Sequence, residues 1–272
     1  MRRKRILGLI VLAALLPACA GVAPTAMAAP TATPAPSPTP GPTIDWQGMV
    51  EEMSGLQRGL EIPEQFLMFP DEPVKTGAEF DVSVYFDVLD HLSMKPGYAL
   101  DWVYFAEFIG AEPVLYVRST NQEPYQTYSQ YVIAGGTPFG FGEERYEYLD
   151  YVQVDGTVEG FFQFIILRIL GGQFYLYWHA GYNDTRIVCD RETLDKILNR
   201  ISIGDARTRM ARQIDPTPVV AIGDDEVTVR MVVFSDWGGF TQLSYRISRD
   251  YPHEILDVES DVLMPYDCGI LF

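Results

Sequence analysis

Gly160-Phe161-Phe162-Gln163-Phe164-Ile165-Ile166-Leu167-Arg168-Ile169-Leu170, closed by Gly171-Gly172, is the stretch on which the reading of the fold turns. It is nearly all apolar, so the element it forms is covered on both faces. Gly-Gly between this run and the apolar run at residues 173–180 is a two-residue hairpin signal. The stretch therefore reads as a central strand leading into a second strand. Downstream, residues 186–189 read as another strand. Residues 190–201 are the clearest helix, with Asp190 as cap and Leu194, Ile197, Leu198 and Ile201 on one face. Residues 226–234 and 239–248 read as strands around the turn Asp236-Trp237-Gly238-Gly239, and 251–258 and 267–272 add further strands.

Upstream, residues 146–154 read as a strand ending at the turn Asp155-Gly156, and 125–134 as a weak helix. Residues 99–106 and 113–118 form a hairpin around Gly110. Residues 80–95 carry both periods: Phe80, Val82, Val84, Phe86 and Val88 alternate, while Val84, Val88, Leu89 and Leu92 share a helical stripe. Asp81 as cap and Pro96-Gly97 as stop favour a helix over 82–94. Residues 61–79, with Pro63, Pro70 and Pro73, are an irregular connection. Trp46, Met49, Val50 and Met53 form the stripe of a short first helix. This order predicts an α+β fold, an antiparallel meander or curved sheet packed with a few helices. Residues 44–272 form one domain; the other organisation divides it into lobes at 44–215 and 216–272.

The 272 residues are 47% hydrophobic and 21% charged, which is globular and excludes a disordered or collagen-like chain. Aromatic residues reach 13%, with 16 tyrosines, which suits β-rich structure. The formal charge is −17. Four bases, Arg2, Arg3, Lys4 and Arg5, precede the first acid, Asp45; without them 16 bases face 37 acids, a balance of −21. Such a polyanion repels phosphate, so nucleic acid is not an expected partner, and anionic lipid headgroups are not an expected docking surface. Arg200, Arg207, Arg209 and Arg212 are a local exception, read as a solvated helix end and loop, with a small anion site as the lesser reading.

Residues 1–5 are a positive n-region, and residues 6–16, ILGLIVLAALL, are an unbroken apolar run. That run is far short of the roughly 20 residues that span a bilayer, so it reads as a secretory signal. Leu16-Pro17-Ala18-Cys19 follows at once. These four residues, with the signal before them, resemble the lipobox of bacterial lipoproteins. The resemblance implies cleavage before Cys19, a thioether diacylglycerol on its sulfur, and attachment to the outer face of the membrane. Pro17 stands where that family usually has a small or aliphatic residue. Cleavage after Ala18-Cys19-Ala20 or after Ala26-Met27-Ala28 is the other reading, and would give a simply secreted protein. Residues 1–18 are thus the signal and 19–43 a disordered linker rich in Pro, Thr and Ala. Its alternating prolines favour polyproline II, and at about 3.1 Å per residue it is a semi-rigid stalk reaching roughly 70 Å.

With Cys19 assigned to lipid, Cys189 and Cys268 remain as a candidate disulfide in an oxidising compartment, two buried free thiols being the other reading. Trp178-His179-Ala180-Gly181-Tyr182-Asn183-Asp184 is the densest polar-aromatic cluster. Trp178, His179, Tyr182, Asn183 and Asp184 form the candidate ligand surface, with Trp237 as a separate aromatic turn. The plainer reading is that the two rings pack on the sheet and Asn183-Asp184 make a turn. A nucleophile set of Cys189, His179 and Asp184 lacks any elbow or oxyanion loop, so no catalytic residue is assigned. His91, His179 and His253 have no metal spacing, and Asp224-Asp225-Glu226 lacks the alternation and glycine of a calcium loop, so no metal and no cofactor are expected. The glycines of 135–142 have neither P-loop nor dinucleotide spacing and read as a loop over the domain.

The leading expectation is a non-enzymatic, envelope-tethered binding or interaction module, with the membrane as one partner and an envelope protein or small ligand as the other. The alternative is an extracytoplasmic hydrolase of wall or sugar polymers, which would need an enclosed cleft with two opposed carboxylates. A third reading is a structural envelope component held in a stable complex.

Overall fold

Residues 160–170 are a helix, not a strand. A computed structural model of the protein describes residues 43–67, 72–107, 110–138, 146–178 and 185–269; the segments read as signal and lipobox, and the expected stalk up to residue 42, lie outside them. The helix, α4, runs Val158–Leu170. Thr157 caps it, its hydroxyl accepting from the Gly160 amide, and Glu159 and Arg168 sit in the first and last turns where they complement the dipole. Residues 161–167 are all buried, so no polar face exists to reveal the 3.6-residue period. Gly171 ends the helix; Gly171-Gly172 makes no hairpin. Of the strand expected over 173–180, residues 179 and 180 lie outside the described residues, and among the rest only Tyr177–Trp178 is strand, β5. Positive φ at Tyr175 (51°) interrupts the extended run before β5, while Trp178, also at positive φ (52°), still pairs with Gly110.

Six helices and ten strands occur among the described residues, the strands all antiparallel, in an α+β fold. The first helix, α1 (Trp46–Gln57), buries Val50 and Met53 against α4, and Trp46 meets Phe162 edge-on at 4.8 Å. Asp81 caps as expected, accepting from Ser83, but the helix expected over 82–94 is only a 3-10 turn, Val82–Val84, and α2, Tyr85–Val88. The rest of that stretch is β1, Leu92–Met94, which pairs with β4, Val152–Val154. The reason is tertiary: the His91 amide leaves any helix to bond Gln163 of α4 at 2.9 Å. Likewise the strand expected over 146–154 is a 3-10 turn, Glu147–Tyr151, before β4.

β2 (Tyr98–Glu107) and β3 (Gly110–Ser119) form the expected hairpin, in register from Tyr98↔Ser119 to Glu107↔Gly110, and β5 adds to β3. One face of the hairpin carries Trp102 and Tyr104 into an aromatic core with Phe66, Phe174 and Tyr175. Its buried polar tips are satisfied: Trp102 Nε1 donates to Phe80 O at 2.9 Å and Tyr104 Oη to Tyr175 O at 2.6 Å. The other face holds Lys75, Asp101 and Arg118 in an ion triad and packs under α3 (Tyr128–Ile133), the weak helix, capped by Thr127.

The large sheet combines β6 (Thr185–Val188), β7 (Val219–Ile222), β8 (Glu226–Ser235), β9 (Gly239–Ser248) and β10 (Ile255–Met264). β8, β9 and β10 are a meander; β6 and β7 lie end to end along the far edge of β8. One face, with Val227, Val229, Met231, Tyr245 and Ile247, packs in the core that contains α4. The other face, with Val232, Phe234 and Phe240, packs on α5 (Arg191–Arg200) and α6 (Asp205–Ala211). Asp190 caps α5 as expected. The strand expected at 251–258 begins later and runs to Met264, while residues 267–269 are not strand and 270–272 lie outside the described residues. One core runs from Val50 through α4 to Ile247, and residues 43–272 form one unit.

Cys189 and Cys268 are separate thiols, the first buried. The sheet register explains it. Cys268 N bonds Asp236 O beside the Thr185↔Ser235 pair, whereas Cys189 follows Val188↔Val232. Four residues of strand, roughly 13 Å, separate the two levels, well beyond disulfide reach.

Candidate functional site

The ligand surface read from the sequence is only partly within the described residues: His179, Tyr182, Asn183 and Asp184 lie outside them. Trp178 ends β5 opposite Gly110 and is 49% exposed. Trp237 is half-buried in the β8–β9 turn. Thr185, where β6 begins, pairs with Ser235, two residues before Trp237, so β6 begins beside that turn. The turn is anchored by Asp236, which takes Arg200 at 2.8 Å and Arg186 at 3.6 Å. Arg200 is thereby removed from the expected arginine cluster; Arg212 pairs with Asp195 at 3.2 Å, and Arg207 and Arg209 are exposed on α6.

A cavity of about 400 Å³ opens elsewhere, between the 3-10 turn Glu147–Tyr151, the C-terminal end of α4 and the start of β10. Tyr146, Glu147, Asp150, Arg168, His253 and Ile255 are on its walls. Arg168 projects from the last turn of α4. Its guanidinium lies 3.9 Å from the Tyr146 ring centre and donates to Tyr245 Oη at 3.2 Å. Burial, then the Glu254 and Glu147 charges, raise the Asp150 carboxyl above its ordinary value. Glu147 and Asp150 are three apart on a 3-10 turn, so they sit on one wall, not opposed across the cavity.

His253 is 5% exposed and its ring is fully engaged. Nε2 accepts from the Val154 amide at 3.3 Å and Nδ1 faces Ser248 O at 3.3 Å, where Phe161 and Phe164 meet the ring edge-on. An acceptor at Nε2 requires the neutral Nδ1–H tautomer. Burial lowers its proton affinity in the same direction. His253 thus clamps β4 to the β9–β10 connection and has no lone pair left for proton transfer to a ligand.

His91 is the opposite case. Nδ1 meets Asp155 Oδ2 at 2.7 Å, and that bond raises its proton affinity, against a smaller loss from burial. Burial alone would raise the Asp155 carboxyl, but bonds from Thr157 and His91 outweigh it and hold it below its ordinary value. The cluster ties the turn before α4 to β1. Asp155-Gly156 was legible as a turn; its hold on His91, 64 residues away, left no sequence signal.

A smaller groove of about 270 Å³ lies on the outer face of the large sheet, the face that carries Val232, Phe234 and Phe240 farther along, and is lined by Arg230, Arg246, Asp257 and Glu259 among others. Asp224-Asp225 is the β7–β8 turn, with the Arg249 amide on Asp225 O and its guanidinium on Gly223 O. No group of three His, Cys, Asp or Glu suited to a metal occurs among the described residues, and no helix of those residues is long and apolar enough to cross a membrane. Comparison with family models, with curated proteins and with solved structures finds no significant match for this chain.

Proposed function

We propose that this is an exported, lipid-anchored protein whose folded part works outside the cytoplasm as a binding or interaction module. The observation that carries the reading is the succession of a basic n-region, an apolar run of signal length, Leu16-Pro17-Ala18-Cys19 and an uncharged proline-rich stretch. Two acyl chains suffice for a stable anchor where one does not. The folded unit starts at Thr43, where that stretch ends, and its core is built from Val50 onward. Address and body are therefore separable. Binding is favoured over hydrolysis because the cavity's two carboxylates share a wall and its histidine is held by backbone at both nitrogens.

Mass spectrometry of the native N-terminus tests the anchor. The expected species begins at Cys19 with a diacylglyceryl adduct, and Cys19→Ser releases the protein from the membrane. An unmodified start at Gly21 or Ala29 would falsify the assignment. A thermal-shift screen of glycans, wall fragments, peptides and amino acids tests the module. Ligand at a hundredfold its Kd adds about 2.7 kcal/mol and moves Tm by a couple of degrees or more. Trp178→Ala or Tyr182→Ala removing that shift would assign the aromatic surface.

A further inference from the structure

We propose that β10 is a docking edge that takes an extended basic peptide of another protein as an added strand. β10 is a ten-residue outer strand, and among the described residues β9 is the strand that pairs with it. Residues 256–262 are all exposed. A long exposed strand edge offers a row of backbone donors and acceptors to an incoming chain. Its side chains are sorted by face. Asp257, Glu259 and Asp261 pair across to Arg246, Ser244 and Gln242 and point to the outer face. Val258 and Val262 pair across to Tyr245 and Thr241 and point to the core-side face, where they remain 41% and 61% exposed.

Charge decides the occupant. The last 23 residues hold six carboxylates and no lysine or arginine. Asp257, Glu259 and Asp261 make no ion pair among the described residues; Arg246, the nearest base across the ladder, is drawn to Glu226 at 3.3 Å. A second copy pairing antiparallel through β10 would set Glu259 against Glu259 and Asp257 against Asp261, six carboxylates on one face, which opposes self-association. A strand with Lys or Arg at alternate positions and Val, Ile or Thr between them meets the acids on one face and covers Val258 and Val262 on the other. This deepens the reading of the folded unit as an interaction module and is independent of the lipid anchor.

The test uses the full chain and a capped peptide alternating lysine with valine. Binding is read by fluorescence anisotropy and by hydrogen exchange. The peptide is expected to slow exchange at residues 256–262 and to bind more weakly as salt rises. The Glu259→Lys, Asp261→Lys double variant, changed only at exposed sites, should melt no lower than the wild type and lose at least tenfold in affinity. A peptide N-methylated along one edge should not bind, and this control leaves the protein untouched. Equal binding by the N-methylated peptide or by one with its lysines grouped would reduce the effect to bulk charge and overturn the proposal. So would unchanged exchange at 256–262, or a dimer of the chain alone with β10 protected. If the edge fails while the ligand screen succeeds, the module stands without it.

Discussion

His253 shows how one buried ring couples stability to pH. Its folded-state proton affinity is lowered, so as pH falls the unfolded chain takes up the proton first. The stabilisation is present above about pH 6.5 and is lost as pH drops through the lower folded value. His91 runs the other way: its affinity is raised, so its contribution is present below about 6.5 and fades as pH rises through the folded value. That pair is partly exposed, 29% at His91 and 42% at Asp155, and so contributes under about 1 kcal/mol. His253→Gln isolates the first effect, since His91 is common to both proteins. Melting curves from pH 8 to pH 5 should show the wild type losing more Tm than the variant. Equal losses would mean that the ring is not held neutral. Gly239 illustrates a different residue-scale constraint. Its φ is 80°, and a Cβ there would run into the Met264 carbonyl and the Tyr266 amide. Only glycine lets the chain at the end of β10 pass that close.

At the scale of elements, α4 organises the molecule. Phe161, Phe162, Phe164, Ile165, Ile166 and Leu167 are fully buried, touching core on all sides. Phe164→Ala should destabilise by about 3–5 kcal/mol, because the surroundings cannot collapse onto the space left. Urea denaturation would show a lower midpoint with an unchanged slope. A loss under about 1 kcal/mol would contradict the packing described. The same burial hid the helix in the sequence. Amphipathic α5 was legible residue by residue, because Leu194, Ile197 and Leu198 contrast with charged neighbours. α4 has no such contrast, and its signal lay in its ends: Thr157 as cap, Glu159 early, Arg168 late.

At the scale of the whole molecule, the acidic excess is a cost to the compact state. Without the n-region the balance is −21, and among the described residues the buried ion pairs given above centre on one acid, Asp101. Added salt screens this repulsion beyond about 10 Å. Tm should therefore rise by a few degrees from about 20 to about 300 mM sodium chloride. A flat or falling Tm would place the acids in local pairs that salt weakens.

The charge, the hairpin of β2 and β3, Asp81 as the cap of the turn before α2, Asp190 as the cap of α5 and the β8–β9 turn were all readable along the chain. Each depends on neighbours a few residues apart, where capping, turn geometry and alternation act. Tertiary structure alone decided that residues 160–170 coil, that the stretch after Val88 leaves its helix for β1, and that Cys189 and Cys268 lie beside different levels of the large sheet. It also decided that His253 meets Val154 while β10 is left at the edge. These depend on contacts between segments tens to a hundred residues apart, and no local period encodes which partner a fully apolar or uncapped segment will find.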